Sequence, residues 1–64
     1  MRRDHVKKLL EAAKELAFYA SQPELSDSPA ARQAKARLNG LRRNASDSEW
    51  CTARAEDPGN PAWH

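Results

Sequence analysis

The strongest structural signal in this 64-residue chain lies in residues 4–20, which read DHVKKLLEAAKELAFYA. Apolar side chains recur here at steps of three and four residues, the spacing of one apolar stripe along an α-helix. The stripe consists of Val6, Leu9, Leu10, Ala13, Leu16, Ala17 and Ala20. Lysines and glutamates fill the opposite face, and Asp4 can cap the helix start. The pattern therefore predicts a helix at about residues 5–20.

A second helix is indicated by Ser28-Pro29, because proline disfavours the α conformation of the preceding residue and itself suits the first helical position. A seam of small and apolar residues follows, made of Ala31, Ala34, Leu38, Leu41 and Ala45. One interpretation ends the helix at Asn39-Gly40, with Gly40 in the left-handed conformation. The seam continues in phase beyond this point, and a helical glycine costs only about 1 kcal/mol. We therefore favour one continuous helix at about residues 29–45.

The C-terminal third of the chain opens on Ser46-Asp47-Ser48-Glu49, the pattern of a capping box. It predicts a short third helix at about residues 47–56, ended by Asp57-Pro58-Gly59. Residues 58–64 are polar and proline-rich, and we expect an extended or frayed tail, or an arm whose Trp63 docks. Residues 1–57 then form a single small helical domain.

Composition agrees with an all-α fold. Twelve residues are alanine, one is valine and none is isoleucine, so β-branched apolar residues, which strands favour, are nearly absent. This excludes a β-sandwich or a Rossmann-type sheet. The first two helices are similar in length, and the linker between them, residues 21–28, is short and rich in turn formers. We therefore predict an antiparallel helical hairpin with a short third helix.

The supply of large apolar side chains is small for an independent domain. A chain of about 60 residues buries only about 60% of its unfolded surface and usually needs a disulfide, a metal or a partner chain. Cys51 is the only cysteine, and His5 and His64 are the only histidines, without the spacing of a zinc site. We therefore predict self-association, with a dimer favoured, or a stable complex with a protein partner.

No sequence feature indicates a membrane protein or an enzyme. No segment approaches 18 consecutive apolar residues, and the basic start is not followed by an apolar signal region, so we expect a cytoplasmic protein without membrane contact. There is no glycine-rich phosphate loop and no arrangement of a nucleophile with a histidine. We expect neither catalysis nor a cofactor nor a bound metal.

Four aromatic residues are candidates for a protein interface: Phe18, Tyr19, Trp50 and Trp63. Phe18 points about 150° away from the apolar stripe, so it either contacts another chain or turns inward with Leu25 to cover the loop. We expect Trp50 to close the open end of the hairpin. Trp63 is the better candidate for contact with a neighbouring subunit.

A basic set in the second helix is the other candidate site: Arg32, Lys35, Arg42 and Arg43. These cations can bind nucleic acid or an acidic protein partner, or form a solvated helix face. The net charge of only +2 and the absence of interleaved aromatics weaken the nucleic-acid interpretation. The acid-rich residues 46–64 can also fold back and mask the basic set.

We predict from these observations a small non-enzymatic protein that binds and covers a surface of another protein. Small chains of this kind are common among phage and mobile-element accessory proteins, including inhibitors, which is an analogy at the level of class. The alternative is a small nucleic-acid-binding regulator that uses the basic set of the second helix.

Overall fold

A computed structural model describes residues 2–63 and shows three α-helices followed by one turn of 3-10 helix. Helix α1 spans Arg3–Ala20, α2 spans Pro29–Arg43, α3 spans Asp47–Glu56, and the 3-10 turn spans Pro61–Trp63. Helices α1 and α2 pack against each other as a hairpin, and α3 and the 3-10 turn pack on α1. The described residues contain no strand, so the predicted all-α fold is confirmed.

The start of α1 differs from the prediction. Its N-cap is Arg2, and Asp4 lies inside the first turn, where a carboxylate still interacts favourably with the helix dipole. No side chain of α1 caps its own start. Glu49 of α3 does so instead, because its Oε2 accepts a hydrogen bond of 3.0 Å from the backbone N–H of Arg2. The cap is thus supplied across the fold, which local sequence patterns do not reveal.

Helix α2 begins as predicted, with Ser28 as N-cap and Pro29 as the first helical residue. The Ser28 hydroxyl accepts a hydrogen bond of 3.2 Å from the Ala31 N–H. The helix continues through Gly40, which does not have a positive φ, so the continuous form of α2 is confirmed. It ends at Arg43, two residues before the predicted end.

Helix α3 has the predicted bounds and the predicted capping box. The Glu49 N–H donates to the Ser46 hydroxyl at 3.2 Å, and the Ser46 N–H donates to Glu49 Oε1 at 2.9 Å. Two N–H groups at the helix start are therefore satisfied reciprocally.

The core lies where α3 and the 3-10 turn meet the hairpin. It consists of Val6, Leu9, Ala12, Ala13, Leu38, Ala53 and Trp63. Three of these seven residues are alanine, which lets the helices approach closely but contributes little apolar area per residue. Ala12 lies outside the predicted stripe but is buried. Because both α2 and α3 pack on α1, a wider part of its surface is covered than one partner helix would cover.

Of the two forms that we predicted for residues 58–64, the structure has the one in which Trp63 docks, and residue 64 lies outside the described residues. Trp63 is only 6% exposed, and its indole N–H donates to the Asp57 carbonyl oxygen at 2.6 Å. Asn60 is also buried, with its amide donating to the Asp57 carboxylate at 3.0 Å and its carbonyl accepting from Ala62 N–H at 2.8 Å. Trp63 therefore packs on its own chain, and its indole is not available for the predicted contact with a neighbouring subunit.

Candidate functional site

The two halves of α1 are covered to different degrees. In residues 3–13, the covered half, Val6 and Leu9 are buried beneath α3 and the 3-10 turn. In residues 14–20, the uncovered half, Leu16 is only partly buried and Ala20 is exposed. The apolar stripe continues along the whole helix, so its last part faces an opening between α1 and α2.

This opening contains two adjoining depressions of about 260 and 370 Å³, which share Leu16, Ala20 and Lys35 and together are termed the groove. The first depression is lined by Leu16, Ala17, Ala20, Lys35, Leu38, Asn39, Arg42, Trp50, Pro61 and Ala62. The second is lined by Leu16, Ala20, Ser26, Asp27, Ala31, Arg32 and Lys35. Six of the fourteen lining residues are alanine or leucine and six are polar or charged, so an apolar floor is bordered by polar side chains of α2 and of the loop before it.

The polar side of the groove is basic. Arg32, Lys35 and Arg42 line it in sequence along α2, and all three are exposed. Among residues 2–63 the ion pairs are Arg2–Glu49 and Arg37–Glu15, so none of the three cations is neutralised by a carboxylate of the described chain. The three residues are termed the basic rim. Arg43 lies further around the helix and does not line the groove.

One end of the groove is formed by an aromatic corner. The rings of Trp50 and Trp63 meet edge to face at 5.0 Å between centroids, with an angle of 89°. The guanidinium carbon of Arg42 lies 4.5 Å from the Trp50 ring centroid, a cation–π arrangement. Trp50 thus joins the core on one side and holds a cation of the basic rim on the other.

Phe18 and Tyr19 belong to a different surface. Neither residue lines the groove. Their rings contact each other at 5.5 Å between centroids, and Phe18 is 56% exposed, so it does not turn inward to cover the loop. Leu25 is exposed as well. The four aromatic residues that we predicted as one interface set are therefore divided between two places.

The acidic residues of the C-terminal third do not mask the basic rim. Glu49 instead pairs with Arg2: the Nε of Arg2 donates to Oε2 and its Nη2 to Oε1, both at 3.2 Å. These side-chain bonds, together with the backbone bond from Ser46, lower the pKa of Glu49 to about 2 although burial opposes this. Glu49 is 2% exposed and has a structural role in joining α3 to the start of α1.

Within residues 2–63, no three His, Cys, Asp or Glu side chains are grouped so that they could hold a metal ion. The imidazole Nε2 of His5 lies 2.9 Å from the Leu41 carbonyl oxygen, and Cys51 is exposed on α3 without a disulfide. No helix in this range is long and apolar enough to span a bilayer.

Sequence patterns identified the cations of the groove but not the groove itself. The apolar stripe predicts Leu16, Ala17 and Ala20 as ordinary core positions of α1, whereas Leu16 and Ala17 are only partly buried and Ala20 is exposed. A signal of this incomplete burial was nevertheless present in the lengths of the helices. At about 1.5 Å per residue, α3 with its 10 residues is far shorter than α1 with 18, so it cannot cover the whole of α1.

Comparison with known proteins gives no match to a family model, to a curated protein or to a solved structure.

Proposed function

We propose that this protein is a non-enzymatic binding protein whose groove contacts a surface of another protein. The observation that carries the proposal is the uncovered half of α1, where the apolar stripe continues but Leu16 and Ala17 are only partly buried and Ala20 is exposed. Burial of apolar surface contributes about 25 cal/mol per Å². A partner that covers this half would bury apolar surface and thereby stabilise the complex, as α3 stabilises the fold by packing on the covered half.

The openness of the groove, rather than its volume, supports a macromolecular partner more than a small metabolite. Its sides are formed by exposed residues, among them Lys35, Asn39 and Pro61. A small molecule in such an open depression would remain largely in contact with water.

Nucleic-acid binding is the second candidate, supported by the unpaired cations of the basic rim and by Arg43. The groove favours a protein instead for two reasons. Its floor is apolar, which suits side chains better than a phosphate backbone. Its aromatic residue, Trp50, has Arg42 over the ring, so that ring face is not free to stack on a base.

We further propose that the protein self-associates, with a dimer favoured. The supporting observation is the exposure of Phe18 and Leu25, two large apolar side chains outside the groove. Light scattering over a dilution series tests this directly, since a stable monomer at micromolar concentration would contradict it. The narrower prediction, an inhibitor from a phage or mobile element, stays a prediction.

A photo-crosslinking amino acid in place of Ala20 tests the main proposal. Ala20 is exposed in the groove, and Ala36 of α2 is an exposed helical alanine outside it, so the same replacement at Ala36 is the matched control. We expect a defined protein to crosslink in cells from position 20 and not from position 36. Ala20→Arg should then weaken the purified complex at least tenfold, and Ala36→Arg should not. Equal crosslinking from both positions, or recovery of nucleic acid, would contradict the proposal.

A further inference from the structure

The basic rim has the spacing of a helix-to-helix contact. Arg32, Lys35 and Arg42 follow one another at steps of three and seven residues, so they lie on one side of α2 and span about 15 Å. A second helix beside α2 presents side chains to it at the same steps, once per turn. Carboxylates spaced by three or four and by seven residues on that helix would face the three cations.

The floor of the groove requires large side chains from its occupant. Ala17, Ala20 and Ala31 are small, and Leu16 is only partly buried between them. Side chains of one helix pack into the grooves of another at interaxial distances of about 8–10 Å. An occupant with leucine-sized residues along one face would fill this floor, whereas a polar or flat surface would leave it in contact with water.

Within the described residues, one helix already joins a carboxylate to a cation of the hairpin. Helix α3 carries three carboxylates and one cation, packs on the covered half of α1, and places Glu49 on Arg2 of the hairpin. Its 10 residues span about 15 Å, the same length as the basic rim. The uncovered half thus offers an apolar floor and free cations to a second helix that, like α3, carries carboxylates and packs on α1.

From these observations we infer that the groove accepts an acidic amphipathic helix of a partner protein, with leucine-sized side chains on the floor and carboxylates on the basic rim. This inference rests on the proposed function, because it names the chemistry of the partner at the same groove. Asp27 is the one carboxylate that lines the groove, and it lies in the loop at the end nearest Arg32, so the remaining rim is left for carboxylates from outside.

The inference is tested with stapled helical peptides of about 14 residues, because short helices are marginal in water without a constraint. The probe carries leucines along one face and glutamates beside them, and the matched control carries lysines in place of the glutamates. Binding is measured by calorimetry and by amide shifts at Ala20 and Asn39. We expect the acidic peptide to bind at least tenfold more tightly than the basic one, and more weakly as salt concentration rises.

Charge reversal on the protein completes the test. The double substitution Arg32→Glu with Lys35→Glu should lower the affinity for the acidic peptide at least tenfold and raise the affinity for the basic peptide. Lys8→Glu with Lys14→Glu makes the same change in net charge at exposed sites outside the groove and should alter affinity less than threefold. Equal binding of both peptides, or no binding of either, would overturn the inference.

The remaining outcomes separate this inference from the proposed function. If position 20 crosslinks to a protein and Ala20→Arg breaks that complex while the acidic peptide does not bind, the inference fails and the proposed function stands. If groove amides shift on dilution of the protein alone, together with a halving of mass, a second copy occupies the groove and the inference fails. Displacement of the labelled acidic peptide by an excess of the unlabelled acidic peptide, but not by the basic peptide or by single-stranded DNA, supports it.

Discussion

The covered and uncovered halves of α1 carry the same kind of apolar stripe and differ in what lies over it. In the covered half, α3 and the 3-10 turn bury Val6 and Leu9, and Glu49 neutralises Arg2. In the uncovered half, Leu16 and Ala20 face a groove whose cations have no carboxylate partner within the described residues. An amphipathic helix thus specifies which of its faces needs a partner, while the length of the covering element decides how much of that face stays free.

The largest expected effect is that of Trp63→Ala, which removes the side chain that joins the C-terminal turn to the core. A buried tryptophan replaced by alanine costs about 3–5 kcal/mol. The total stability of a domain of this size is roughly 3–10 kcal/mol. We therefore expect most of the cooperative unfolding transition to be lost in thermal denaturation followed by circular dichroism.

Trp63→Phe is the control for that prediction, because it keeps one buried aromatic ring and loses the indole N–H bond to Asp57 together with a smaller part of the packing. It should retain a cooperative transition at reduced temperature. A Trp63→Ala protein with unchanged thermal stability would show that the C-terminal turn does not stabilise the covered half. The proposed difference between the two halves of α1 would then be contradicted.

Two leucines of the same helix compare the halves directly. Leu9 is fully buried in the core, whereas Leu16 lies at the groove and is only partly buried. We expect Leu9→Ala to lower the free energy of unfolding by about 3 kcal/mol and Leu16→Ala by about 1 kcal/mol, because the second side chain loses less buried surface. Urea denaturation measures both values. Equal losses would mean that the uncovered half is as well packed as the covered one.

The sequence was sufficient for most of the helical architecture. The start of α2 at Ser28-Pro29 and both bonds of the capping box at Ser46 and Glu49 follow from local side-chain chemistry, and the structure confirms them. The start of α1 does not follow, because its cap comes from Glu49, which is 47 residues away from Arg2. Contacts of this range depend on how the helices pack, and the pattern within one helix contains no information about them.

The candidate site was predicted in part, for a related reason. Cations of the second helix stand out by charge and spacing, and Lys35 and Arg42 do line the groove. Ala17 and Ala20 have the same pattern as core alanines, so only the position of α3 decides that they remain accessible. The sequence left open whether Trp63 docks, because a proline-rich tail resembles a flexible arm, and the bonds made by the Asp57 carbonyl and Asn60 that hold it in a turn are not visible in the pattern.

Glu49→Gln tests the polar junction of the covered half through its pH dependence. Hydrogen bonds from Arg2 and Ser46 lower the pKa of Glu49 from 4.5 to about 2. A carboxyl with a lowered native pKa stabilises the fold above its unfolded value, and this contribution is lost as the pH falls toward the native value. The difference in stability between the native protein and Glu49→Gln should therefore be largest near pH 7 and shrink between about pH 4.5 and 2.

Glu15→Gln is the matched change in the uncovered half, because it removes an exposed partner of Arg37. It should alter the free energy of unfolding at pH 7 by less than about 1 kcal/mol. If Glu49→Gln had an effect that was equally small and independent of pH, the Arg2–Glu49 pair would not hold α3 to the start of α1.

The smallest expected effect, and the one with an opposite sign, is that of Gly40→Ala. Gly40 lies inside α2 without a positive φ, and a Cβ added there would meet no atom within 4 Å. Alanine is favoured over glycine in a helix interior by about 1 kcal/mol, partly because it restricts the unfolded chain. We therefore expect a stabilisation of about 0.5–1 kcal/mol in urea denaturation. Because α2 runs alongside both halves of α1, amide exchange should slow on both sides of position 40. A destabilisation instead would indicate a helix that ends at Asn39-Gly40, and the basic rim would then not lie on one continuous helix.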